Sequence, residues 1–95
     1  MRKTDYSLIP EHMMKSLRMY VEEGKRVGHF LTAVLSNDLW GAVGSADDTN
    51  QPLIPLYVMY INWECPAICH GSPEHVKAWY EKKDKENQEL ENQKG

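Results

Sequence analysis

Apolar side chains recur at helical spacing from the first dozen residues onward. Met14, Leu17, Tyr20 and Val21 follow the i, i+3, i+4, i+7 rule of a single buried helix face. Pro10 and Glu11 mark the first turn of that helix, where a missing N–H costs nothing and exposed N–H groups favour an anion. Gly24 ends it. The period resumes in HFLTAVLSNDLWGAVGSA, where Phe30, Leu31, Val34 and Leu35 form a stripe that Leu39, Trp40 and Val43 are expected to extend. Ser36, Asn37 and Asp38 interrupt the stripe. Such residues favour helix starts because a short side-chain oxygen accepts from the exposed N–H groups. Two short helices, or one bent helix, are predicted, with the joint near Ser36–Asn37 and with Asn37 and Asp38 as caps. Gly41 and Gly44 each lower helix propensity by about 1 kcal/mol relative to Ala, which points to the close approach of another helix.

SADDTNQP reads as a turn, because residues of the cap-and-turn class precede Pro52. The run LIPLYVMYINWECP after it is the most apolar in the chain. Its Ile, Val and Tyr would suit a strand, but it is longer than most strands and a lone strand has no partner. A helix is therefore predicted, with Pro55 in its first turn and Pro66 as its stop. GSPEHVKAW is the clearest local signal: Ser72 as N-cap, Pro73 at the first helical position, Glu74 in the first turn, then Val76, Trp79 and Tyr80 on one face. From Glu81 to Gly95 only Leu90 is apolar, so the end of that helix is expected to project and fray.

The fold class predicted is all-α: a compact bundle of four to five short helices with a projecting charged C-terminal helix. Residues 1–8 are expected to be flexible, 9–82 to form a single helical domain, and 83–95 to be a charged, partly disordered tail. A chain of 95 residues with 41% hydrophobic content buries a modest core without staples.

Charge is distributed unevenly. Residues 1–26 carry six bases against four acids, and 77–95 balance five against five. Between them, residues 27–76 contain no Lys or Arg and hold Asp38, Asp47, Asp48, Glu64 and Glu74. Affinity for phosphate backbones comes from Lys and Arg, so this segment argues against nucleic acid as the partner, and against a helix-turn-helix built from 28–46. A basic protein surface suits it better. No apolar run approaches the roughly 20 residues needed to cross a bilayer, and the N-terminus has no hydrophobic signal core. No membrane partner is expected, and the compartment expected is the cytoplasm, with Cys65 and Cys69 as reduced thiols.

Candidate chemistry is sparse. Nucleophilic catalysis needs a base oriented by a third group; Cys69 abuts His70, but neighbours in sequence point apart on most backbones. Cys65 and Cys69 have the spacing of one zinc pair, with His70 and His75 nearby, but no matching second pair follows. Asp47, Asp48 and Asn50 offer oxygen ligands without the twelve-residue calcium-loop pattern. No cofactor, metal or catalytic residue is assigned, and a non-enzymatic role is expected.

The order GHFLTAVLSNDL, ADDTN, GSPEHVKAW, with short spacers, resembles a family of small, mostly uncharacterised bacteriophage and prophage proteins over about residues 9–80. That family often has an aromatic residue where this chain has His70. The resemblance brings no activity, but it implies a phage accessory function exercised in the host cell. The expectation is a protein that binds and modulates or inhibits a host protein, with anti-defence as the setting, through Asn37, Asp38, Trp40, Asp47 and Asp48. The alternative is an oligomer that sequesters a small nucleotide signal through Arg18, Lys25, Arg26 and Trp63.

Overall fold

The computed structural model describes residues 5–94, with backbone only for 92–94. Five α-helices follow one another: α1 (Glu11–Glu23), α2 (His29–Leu35), α3 (Leu39–Ser45), α4 (Ile54–Glu64) and α5 (Pro73–Lys94). Single 3₁₀ turns at Gln51–Leu53 and Ala67–Cys69 precede α4 and α5. No strand occurs among the described residues, so the chain is all-α, as its periodicity predicts.

Helix α2 is the centre of the packing, touching α3, α4 and α5. Its Phe30, Leu31, Ala33 and Leu35 are buried with Leu17 and Tyr20 of α1, Ile54, Tyr57 and Ile61 of α4, and Val76 and Trp79 of α5. The polar atoms of Tyr20 and Trp79 that enter this core are bonded, as buried groups require. The Tyr20 hydroxyl donates to the Cys69 carbonyl at 2.7 Å, and the Trp79 indole N–H donates to the Tyr20 carbonyl at 2.9 Å. One α1 residue thereby joins the Ala67–Cys69 turn to α5.

Gly24 ends α1 in the left-handed conformation, at φ 69°. A Cβ there would also meet the Lys83 Cβ of α5, so only glycine allows the turn and the close packing together. The α1–α2 connection is then clamped onto α5. The Arg26 guanidinium pairs with Asp84 through bonds of 3.2 and 3.0 Å and lies 4.0 Å from the centre of the Tyr80 ring. Hydrogen bonding from Arg26 holds the Asp84 carboxyl below its ordinary range.

Several details depart from the sequence reading. Residues 1–4 of the N-terminal stretch lie outside the described residues, but Tyr6 packs edge-on against Tyr60 at 5.1 Å, so the packed body begins before Ile9. Helix α5 runs past Lys83 to Lys94, the projecting C-terminal helix that the sequence predicts, and the added detail is that Asn87 donates to the Glu23 carbonyl at the end of α1 at 3.1 Å. Gly41 does permit helix approach, since a Cβ there would lie 3.3 Å from the Ala33 Cβ of α2, whereas Gly44 faces open space.

Candidate functional site

The joint between α2 and α3 shapes the surface. Asn37 takes the left-handed conformation, at φ 62°. Its N–H donates to the Val34 carbonyl at 3.2 Å and that of Asp38 to the Ala33 carbonyl at 2.8 Å. This is the six-residue closure that commonly ends helices, with Asn in the place usually taken by Gly. Asn37 therefore terminates α2 and does not cap α3, contrary to the sequence reading. Asp38 does cap α3: its Oδ1 accepts from the Gly41 N–H at 2.9 Å.

The turn rotates the apolar stripe out of register. Leu39, Trp40 and Val43, expected to extend the core, are 64%, 91% and 42% exposed, and Ala42 is the only buried residue of α3. Spacings of three and four put these three residues on one outward face.

Helix α4 adds a second set of exposed apolar residues, because its hydrophobic positions run around the whole cylinder. Ile54, Tyr57 and Ile61 face the core, leaving Val58, Met59 and Trp63 outside. Between α4 and the end of α2 lies a cleft of about 370 Å³ lined by Val34, Asn37, Val58, Trp63, His70 and other residues. It continues into a narrower recess of about 50 Å³ whose walls include Asp38, Leu39, Ala42 and Ile54. Val34, Asn37 and Val58 border both, so the two form one groove.

The far wall is fixed by a backbone bond, from the Gly71 N–H to the Leu35 carbonyl at 2.7 Å. Gly71 has φ 113°, which favours glycine. This bond holds His70 beside the end of α2. The His70 Nε2 is buried without a hydrogen-bond partner among the described residues, and burial pushes the imidazole below its ordinary range. The ring is therefore neutral near pH 7, and the groove lining contains no cation.

The remaining sequence candidates are dispersed. Asp47 accepts from the Asn50 N–H at 2.8 Å, and Asn50 is buried with its Oδ1 accepting from the Tyr57 hydroxyl at 2.7 Å. These two residues build the turn into α4; Asp48 is exposed beside them. Arg18 pairs with Glu11 at 2.7 Å on α1 and Arg26 with Asp84. Lys25 is exposed, and neither it nor either arginine lines the groove that holds Trp63. The structure does not bring that alternative set together.

Cys65 and Cys69 are buried, and burial pushes their thiols up to about 12 and about 11. They stay protonated near neutral pH, the opposite of what a nucleophile needs. Among the described residues no group of three or more His, Cys, Asp or Glu could hold a metal ion. Ser72 and His75 share a hydrogen bond of 2.6 Å, but the same hydroxyl accepts from the His75 N–H at 3.1 Å and caps α5. No helix among the described residues is long and apolar enough to cross a membrane.

Val58, Met59 and Gly71 are groove residues that the sequence reading did not single out for a site, and His70, weighed there only as a catalytic or zinc partner of the cysteines, joins them. Their signal was indirect: an apolar run that cannot all face one core. Comparison of the chain with protein-family models, with curated proteins and with solved structures returns no match.

Proposed function

We propose that this chain is a non-enzymatic binding protein that docks a basic protein partner on the α3–α4 surface. One observation carries the reading: among the described residues, seven of the nine large apolar side chains that stand exposed belong to residues 27–76, the segment without Lys or Arg. Exposed apolar area concentrated in this way marks interaction sites, and exposed tryptophans such as Trp40 and Trp63 are the residue type most enriched at binding hot spots. Asp38, Asp47 and Asp48 supply charges that steer and orient a cationic partner. The resemblance to phage proteins makes the partner a host protein, met in the host cytoplasm, and modulation or inhibition of a defence component the role that fits.

The test is affinity capture from host lysate with the intact chain and with a Trp40→Ala/Trp63→Ala double variant that retains its helical circular dichroism. A partner retained by the first and lost by the second is the expected result. Identical captures by both would remove the reading.

The cleft volume also favours a second reading, the sequestering of a small ligand, since 370 Å³ lies within the range of small-molecule sites. With no cation in the lining, it would seat an uncharged ring on Trp63 and leave phosphates unmatched. Thermal shift with nucleotides and cyclic oligonucleotides tests it; unchanged melting temperatures would exclude it.

A further inference from the structure

We propose that the groove between α2–α3 and α4 receives a short amphipathic basic helix of the partner, anchored by two apolar side chains at i and i+4. The inference rests on the docking reading above and adds the partner's form.

The groove follows α4. Its lining on that helix runs from Ile54 through Val58 to Trp63, about 13 Å of rise. The wide cleft centres on residues 58–63 and the narrow recess on residues 54–58. Their centres are therefore offset by four to five residues of α4, about 6–7 Å. One helical turn of a partner carries its i and i+4 side chains the same distance apart. An extended peptide also matches that spacing, but it would press unpaired backbone N–H and C=O groups against Val34, Val58 and Leu39. Burying such groups unpaired is costly, whereas a helix bonds its own backbone internally.

Charge chooses among helices. Asp38 lines the narrow end, and Glu64 follows Trp63 at the wide end, with no Lys or Arg between residues 27 and 76. A second copy pressed face to face would bring the same two carboxylates, Asp38 and Glu64, against those of the first, and like charges repel. A helix flanked by Lys or Arg meets opposite charge at each end.

The test pans a random 12-residue peptide display library on the full-length protein, with counter-selection on Val58→Arg. Val58 is half exposed, so the substitution fills the groove without touching the core; circular dichroism checks the fold. The expected yield is peptides rich in Lys and Arg with paired apolar residues at i and i+4. They should become helical when bound, shift the NMR methyl signals of Val34, Leu39 and Val58, and bind Val58→Arg at least tenfold more weakly. Peptides that shift the Trp40 and Trp63 indole signals but bind extended, or without cationic residues, would overturn the helix inference and leave the docking reading standing. Selected peptides that shift neither set, or an empty selection, would overturn both.

Discussion

The Tyr57 hydroxyl donates to the Asn50 side-chain oxygen across 2.7 Å, with both residues buried. This bond ties the polar turn before α4 to the core face of α4 itself, and it makes Asn50 an architectural residue. Removing one partner strands the other. Asn50→Ala and Tyr57→Phe should each destabilise the fold by about 1–3 kcal/mol, read as a lower urea midpoint with unchanged slope. The double variant should lose less than the sum of the two.

Gly24 carries a second structural prediction. Gly24→Ala places a methyl group against Lys83 in a backbone conformation that L-residues resist, at φ 69°. A loss of at least about 1 kcal/mol is expected, equivalent to a melting temperature lower by roughly 4–8 °C for a domain of this size. Calorimetry decides it.

Stability should be flat near neutral pH and fall in alkali. Below the ordinary thiol value of 9.0 both the folded and unfolded states keep Cys65 and Cys69 protonated. Above it the unfolded chain ionises first, because the folded thiols are held at about 12 and about 11. Each thiol then costs up to about 1.4 kcal/mol per pH unit. The loss contributed by Cys69 should be complete by about pH 11, where its folded form ionises as well. Urea midpoints at pH 8, 9.5 and 10.5 should fall in that order, and a Cys65→Ala/Cys69→Ala variant should flatten the step from pH 8 to 9.5 but not the whole of the later one, because burial also pushes the Tyr20 and Tyr57 hydroxyls above their ordinary value of 10.0.

Trp40→Ala and Trp63→Ala should separate binding from folding. Both rings are mostly exposed, at 91% and 71%, so each change should alter stability by no more than about 0.5 kcal/mol. Loss of a hot-spot tryptophan raises a dissociation constant by about tenfold or more, and titration against the captured partner measures it.

The acids can be tested without disturbing the turns they build. Asp38 and Asp47 accept backbone N–H groups, a task that Asn also performs. Asp38→Asn/Asp47→Asn/Asp48→Lys should therefore keep its fold, slow association with the basic partner and weaken the salt dependence of that rate. Equal rates in stopped-flow mixing would reduce these carboxylates to caps.

The helices were largely legible because their signals are local. Ser72 and Pro73 start α5 and Gly24 ends α1 where their chemistry places them. The face of α3 was not legible. Its apolar period resumes that of α2 after the polar joint at Ser36–Asp38, and only the left-handed turn at Asn37, a choice the backbone makes in three dimensions, sends Leu39, Trp40 and Val43 outward. Helix α4 hid its groove differently. With apolar residues on every side, its sequence does not distinguish Tyr57, which is buried, from Val58, which is not. The course of α5 beyond Lys83 was legible as a helix, but its tie through Asn87 to Glu23, a residue sixty-four positions away, was not.

The placement of the three tryptophans gives the protein its own optical labels. Trp79 is sealed in the core with its N–H bonded, while Trp40 and Trp63 stand in solvent on separate helices. Emission from Trp79 should therefore lie to the blue and follow unfolding. Emission from the other two should lie to the red and be open to quenchers until an occupant covers them. The acidic surroundings of that pair should make iodide a poorer quencher than neutral acrylamide. A single unlabelled sample can thus report whether the chain is folded and, independently, whether its surface is occupied.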